Sequence, residues 1–384
     1  MGIKINEKRL CGFNFGLWLS QSSLKKSHLK SFYKKRDVKR LQKWGFNFVR
    51  LPVDYMLFEE DRNPGDYDEK NLSYIDRAIS WCSEYGVHVN LDMHELPGYG
   101  ITRVAEDETY EPKLWNDEDL LRRSEDIWRM FAERYRDVEN LSFNLINEPI
   151  APKEKYKEFL ERMISSIRKI DEDRTIYIDG LNLGKEPIYG VDHDNIVQSF
   201  HMYEPMWVTH YGAEWTIGPY LYEAGCHIYN EPAKYPGTPP KMKKYLERIP
   251  KEDELSIAEP GNQVGATIRS VKKFFSKYAG TKADKDWLED LIKPWLEFRK
   301  ETGTPIHCGE FGVYSKRIDK ESRLNWYSDL LKIFKEHEIG WSNWNFRGSF
   351  GIINNGRKEF SSERLEDGDW LDGELLEVLR KGSQ

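Results

Sequence analysis

Short runs of alternating apolar residues and longer stretches with apolar residues every three or four positions take turns along this chain. The first pattern belongs to strands, the second to amphipathic helices. In order, the strand-like runs are Cys11 to Leu19, Phe46 to Pro52, Val87 to Met93, Leu141 to Asn147, Thr175 to Asp179, Ile196 to Met202, Thr304 to Gly309 and Gly340 to Asn345. Helical periodicity covers Lys34 to Trp44, Leu72 to Tyr85, Leu120 to Tyr135, Glu154 to Ile170, Arg323 to Glu336 and Leu371 to Lys381. A short, weak helix follows the fifth strand. In the second of these helices Ile75, Ala78, Ile79 and Cys82 share one face. Alternation of this kind builds parallel βαβ units. Eight of them predict an α/β fold closed as a (β/α)8 TIM barrel, with residues 1–384 as a single domain.

Such a barrel typically takes about 250 residues, so much of a 384-residue chain must lie in loops. The longest is the segment 204–265, dense in Pro, Gly, Tyr and Trp. It follows strand six and would therefore build on the rim at the C-terminal ends of the strands. A loop of that length inside one domain usually serves function. Trp207 and Trp215 are read as walls of a binding cleft, with Tyr220, Tyr222, Tyr229 and Tyr235 packing nearby. Pro236, Pro239 and Pro240 stiffen the segment by fixing φ. The expectation is an insertion that packs on the rim and closes one end of the cleft.

Composition narrows the partner. Hydrophobic residues make up only 39% of the chain, yet aromatics reach 14%, with 13 Trp and 21 Tyr. That is more aromatic surface than packing obviously needs, and it suits stacking on the flat apolar faces of sugar rings. Net charge is −7, which argues against a nucleic-acid partner because a phosphate backbone wants a basic face. The basic run Lys25 to Arg40 reads as solvated loop and helix surface. Cys11, Cys82, Cys226 and Cys308 show no metal-ligand spacing. No apolar run is long enough to span a membrane, so no membrane partner is expected. Met1 to Asn6 contains no apolar signal core; the expected location is the cytoplasm, or outside the cell if a leader was removed.

Chemistry collects at the strand ends. Arg50 closes strand two, His94 strand three, Asn147 and Glu148 strand four, His201 and Tyr203 strand six, Glu310 strand seven and Trp344 strand eight. In a barrel these ends converge on one pocket. Two carboxylic acids there can split a glycosidic bond: one protonates the leaving oxygen and the other meets the anomeric carbon. Their environments must then push their pKa values apart. Arg50 beside Glu310 would hold that carboxylate ionised, and Glu148, among apolar and neutral groups, would keep its proton. Asp92, His94 and Glu95 look like metal ligands in a row. Neighbouring strand residues face opposite sides, so a catalytic metal is rejected and no cofactor is expected. His88 and His307 lie inside or before strands and read as structural.

Taken together, Asn147-Glu148-Pro149, His201-Met202-Tyr203 and Glu310-Phe311-Gly312, with Arg50, His94 and Trp344 in order, resemble glycoside hydrolase family 5, the cellulase-type barrels. The resemblance runs from Gly12 to about Arg357. It implies a retaining double displacement with Glu148 as acid/base and Glu310 as nucleophile. It further implies Asn147 on the sugar 2-hydroxyl, Tyr203 and Arg50 on the nucleophile, His201 near the acid/base and Trp344 beneath the cleaved sugar. The run Thr209 to Trp215 also resembles a segment that follows strand six in bacterial members. The expected substrate is a β-1,4-linked glucan chain or oligosaccharide. Alternatives are a β-mannanase, an exo-acting β-mannosidase or β-glucosidase, and a non-catalytic carbohydrate-binding barrel.

Overall fold

The structure, a computed structural model, describes residues 9–101, 111–213, 231–241, 277–361 and 363–384. Among them, β1 (Cys11–Asn14), β2 (Phe48–Asp54), β3 (His88–Leu96), β4 (Leu141–Asn144), β5 (Ile176–Asp179), β6 (Ile196–Met202), β7 (Ile306–Phe311) and β8 (Gly340–Asn343) run parallel. Each pairs with the next, and β8 returns to pair with β1, so the barrel is closed. Around it lie α1 (Lys35–Lys43), α2 (Glu69–Glu84), α3 (Glu118–Arg134), α4 (Lys153–Arg168), α5 (Lys285–Thr302), α6 (Lys320–Glu336) and α7 (Gly373–Ser383). Only a single turn, Leu181–Gly184, follows β5.

Every residue of the eight strands is buried. Strands covered on both faces, by helices outside and packed side chains inside, are what a parallel barrel demands. Aspartates start the helices. Asp68, Asp117, Asp284, Asp319 and Asp372 each accept backbone N–H groups of the first turn of α2, α3, α5, α6 and α7. This satisfies donors that have no partner within the helix. Among the described residues no helix is long and apolar enough to cross a membrane.

The periodicity found all eight strands, with differences at their ends. Strand one stops at Asn14 rather than Leu19, because Leu17 takes a positive φ of 60° and the chain turns. The last helix starts at Gly373, since Leu371 instead pairs in a two-residue hairpin with Glu363. Helix α5 was absent from the pattern although Leu288, Ile292, Trp295 and Phe298 line its buried face at helical spacing; Pro294 inside it reads as a breaker. That helix ends just before β7, so the long excursion after strand six rejoins the barrel by Lys285. Three register shifts occur, at Val53/Asp54, Phe200/His201 and Cys308/Phe311. All lie toward the C-terminal ends, where bulges re-aim side chains.

The segment after β6 corrects one expectation. Trp207 is fully buried, with its ring edge-on to Tyr278 at 4.7 Å and near Trp287 of α5 at 6.3 Å. It is core, not a cleft wall, because the turn Met206–Thr209 presses it inward against α5. Tyr235 is likewise buried, and its hydroxyl donates to Asp329 of α6 at 2.9 Å. Trp215, Tyr220, Tyr222 and Tyr229 lie outside the described residues.

Candidate active site

Arg50 stands at the centre of the rim. It is buried to 1% exposure, and its guanidinium reaches four strands. Nη1 donates to Asn14 at the end of β1 (3.0 Å) and to Glu310 Oε1 on β7 (2.5 Å). Nη2 donates to Asn147 Oδ1 (2.7 Å) and lies 3.0 Å from Asp92 Oδ1 on β3. Asp179, the last residue of β5, is 3.6 Å from the same nitrogen. The planar fork of an arginine suits this role, because its donors are fixed in direction and it stays charged when buried.

One guanidinium cannot balance this many buried carboxylates, and the histidines make up the charge. His94 Nδ1 bonds Asp92 Oδ2 at 2.9 Å. Burial works against a charged His94, but the bond and charge of Asp92 outweigh it and raise its pKa. His201 Nδ1 bonds Glu148 Oε1 at 2.9 Å and lies 3.7 Å from Glu310 Oε2, while Nε2 is 3.2 Å from Asp179 Oδ2. Burial again opposes the charge, and Glu310 and Asp179 overrule it, so its pKa stands well above that of a free imidazole. Asp179 is held well below the carboxylate range; burial would raise it, and His201, Arg50 and the Glu148 amide override that.

Glu310 is pinned from both oxygens. Arg50 holds Oε1, and the Tyr203 hydroxyl donates to Oε2 at 3.0 Å. Burial and the Glu310 anion push the Tyr203 phenol well up, so it stays a donor. The expectation that Arg50 sets the charge of Glu310 needs correction. Burial is the largest influence and, with Glu148, pushes this carboxyl up, while His201, Arg50 and His94 pull against it.

Glu148 is also not among neutral groups: the charged ring of His201 faces it. Its side chain is 17% exposed, the more open of the two carboxyls. Its backbone has φ of +48°, a left-handed conformation rare outside glycine. Two bonds hold that turn: Asp179 accepts the Glu148 N–H at 3.1 Å, and Tyr99 donates to its carbonyl at 2.5 Å.

Trp344 closes one side. Its indole stacks near-parallel on His94, centroids 5.6 Å apart, and groups with Ala213, Tyr314, Phe350 and Tyr203 in an apolar patch. Gly16 makes room for it: a Cβ there would stand 2.7 Å from the indole edge.

The structure thus brings together Arg50, His94, Asn147, Glu148, His201, Tyr203, Glu310 and Trp344, and excludes Trp207. Sequence reasoning passed over Asp179 and Asn14 as site residues. Both end strands. The same rim logic applied to strand five would have found Asp179, whereas Asn14 lay inside the run Cys11 to Leu19, whose true end the sequence did not mark. Glu95 pairs across the sheet with Asp54 and Gly100, and the register shift beside it falls at His94. One oxygen each of Glu148 and Glu310 and a ring nitrogen of His201 lie within 4.8 Å of one another. A protonated imidazole has no lone pair for a cation, so the cluster reads as a proton-handling group.

A closed parallel barrel with two facing carboxyls this near each other is the frame of a retaining glycoside hydrolase, whose carboxyls stand about 5–5.5 Å apart. The family model for cellulases, glycosyl hydrolase family 5, matches residues 13–349. Endoglucanase C of Acetivibrio thermocellus is 33% identical over 360 residues, covering 92% of this chain and 95% of its own. Cellodextrinase A of Ruminococcus flavefaciens is 27% identical, covering 85% of this chain and 82% of its own. A crystal structure described as a glycoside hydrolase superposes with a TM-score of 0.75 at 30% identity, covering 97% of this chain and 99% of that one. Thermotoga maritima Cel5A in complex with mannotriose shares the fold, with a TM-score of 0.67 at 22% identity over 96% of this chain and 97% of that one. The chain belongs to glycosyl hydrolase family 5.

Proposed function

We propose that this protein is a retaining endo-β-1,4-glucanase in which Glu310 is the nucleophile and Glu148 the general acid and base. The observation that carries the assignment is the different holding of the two carboxyls. Glu310 has both oxygens fixed by Arg50 and Tyr203, so it is aimed and cannot readily swing. Glu148 is more exposed and takes its hydrogen bond from His201, which leaves it open to a leaving group and then to water.

In the first step an oxygen of Glu310 bonds the anomeric carbon while Glu148 protonates the departing glycosidic oxygen. In the second, Glu148 takes a proton from water, whose oxygen displaces Glu310. Asn147 meets a sugar hydroxyl beside the nucleophile in this reading, which its bond to Arg50 at 2.7 Å and its distance of 3.5 Å from His94 Nε2 support. Trp344 offers the flat apolar face for the ring being cleaved. The glucan preference rests on the likeness to Endoglucanase C.

The test is a panel of β-1,4-glucan, mannan, xylan and aryl glycosides, with product anomers followed by NMR and product lengths by chromatography. Retained β-anomers and mixed internal products from glucan are expected. Inverted anomers would overturn the mechanism. Release of short units from chain ends alone would replace the endo mode by cellodextrinase action. Glu148→Ala should keep glycosylation by aryl glycosides, since a good leaving group needs no proton, and azide should restore its second step.

A further inference from the structure

Asp179 is fully buried, yet its Oδ2 meets three parts of the site. It accepts the Glu148 N–H at 3.1 Å, lies 3.2 Å from His201 Nε2 and 3.6 Å from Arg50 Nη2. Tyr156 of α4 donates to the Asp179 carbonyl at 2.7 Å and pins it from behind. The His201 ring has little room to turn. A Cβ at Gly309 would stand 3.1 Å from Nε2, and one at Gly184 would stand 3.2 Å from the His201 Cβ. Nδ1 is hydrogen-bonded to Glu148, while Nε2 has no hydrogen-bond partner among the described residues and lies 3.2 Å from the Asp179 carboxylate. Asp179 therefore acts on the ring as a close opposite charge, which favours the doubly protonated form.

The reaction moves charge past this ring. Before it starts, the groups facing His201 are anionic Asp179 from β5, anionic Glu310 from β7, protonated Glu148 after β4 and the Arg50 cation from β2. After glycosylation Glu310 is a neutral ester and Glu148 a carboxylate. Glu148 must now take a proton from water. A histidine 2.9 Å away that gave up its own proton would neutralise Glu148 first and leave no base. Asp179 is the one anion beside the ring whose charge is the same in both halves.

We propose that Asp179 is a positioning residue that keeps both protons on His201 while negative charge passes from Glu310 to Glu148, so that Glu148 takes its proton from water. This rests on the double displacement proposed above.

Asp179→Asn keeps the shape and an acceptor for the Glu148 amide but removes the charge. With an aryl cellobioside whose leaving group needs no acid, kcat should fall about tenfold or more, a pKa unit's worth, while kcat/KM changes by less than about threefold. Azide, which needs no base, should restore kcat and yield the β-glycosyl azide. A parallel fall in kcat and kcat/KM without azide rescue would overturn the proposal and leave Asp179 structural. The unmutated enzyme gives an independent reading should the variant not fold. Trapped with a 2-deoxy-2-fluoro-β-cellobioside and labelled with [15N]histidine, it should show His201 protonated on both nitrogens from about pH 5 to 8. A neutral ring in the trapped enzyme sinks the inference. Mass spectrometry of the same sample separates the two claims. An ester on Glu310 with a neutral His201 removes only the role of Asp179; the absence of any ester on Glu310 removes the retaining assignment itself.

Discussion

On the floor of the barrel, His88 of β3 and His307 of β7 pack around Phe48 and Tyr177. On the rim, His94 of that same β3 and His201 of β6 sit among carboxylates. All four rings are buried, but their pKa values are shifted in opposite directions. The floor pair has neutral partners, the Ser142 hydroxyl for His88 and the Leu10 carbonyl for His307. Burial pushes each of them down to about 3. On the rim the same burial is overruled by fixed anions, and both pKa values rise. Burial alone therefore neutralises a histidine here; what charges it is an anion that the fold cannot move away.

Removing the anion that reacts should have the largest effect on this contrast. Glu310→Gln is expected to reduce turnover by more than about 10⁴-fold, measured with an aryl cellobioside. It should also lower the pKa of His201, visible by NMR, while His88 and His307 remain neutral. Unchanged turnover would place the nucleophile elsewhere.

Next comes the cation. Arg50→Met leaves Asp92 and Glu310 buried without their guanidinium, and breaking such a buried cluster costs about 3–5 kcal/mol. Chemical denaturation should show that loss together with absent activity. A loss confined to activity would mean that the histidines alone balance the rim.

Acid should act on the two regions with opposite sign. His88 and His307 stand at about 3 in the fold against 6.5 in the unfolded chain, so the unfolded state binds more protons between those values. Their contribution falls as pH drops from about 6.5 to about 3. His94 and His201 have raised pKa values in the fold. Their contribution is complete below 6.5 and is lost as pH rises through the folded values. His88→Gln, which keeps a polar group near Ser142 but does not titrate, should flatten the fall of Tm on acidification. A Tm profile identical to that of the parent would place the acid sensitivity elsewhere.

The smallest effect expected is on catalysis in that last variant. Removing a floor histidine should leave kcat and KM within about twofold, the scatter of substitutions away from a site's special features. A large kinetic change would mean that floor and rim are coupled through β3.

Much of the site was legible because barrel topology turns position in sequence into position in space. Once eight strand-like runs were recognised, the residue at each strand end had to reach the rim, and Arg50, Glu148, His201, Tyr203, Glu310 and Trp344 do. Trp207 misled because an aromatic in a loop has the same sequence signature whether it faces a ligand or the core; only its packing against Tyr278 and α5 distinguishes them. Helix α5 was hidden by Pro294, which reads as a breaker although Leu288, Ile292, Trp295 and Phe298 keep the helical period around it.

Local periodicity and the side chains at strand ends thus determined the barrel, the paired carboxylates and their companions, since both depend on residues near each other in the chain or on a topology with few alternatives. The protonation of those companions was decided by the tertiary structure alone. Whether His201 carries a charge depends on Asp179, Glu148 and Glu310, which come from three other strands and meet it only when the barrel closes. Electrostatic interaction varies with distances of a few ångströms and with the exclusion of water, and neither quantity is written in the order of residues.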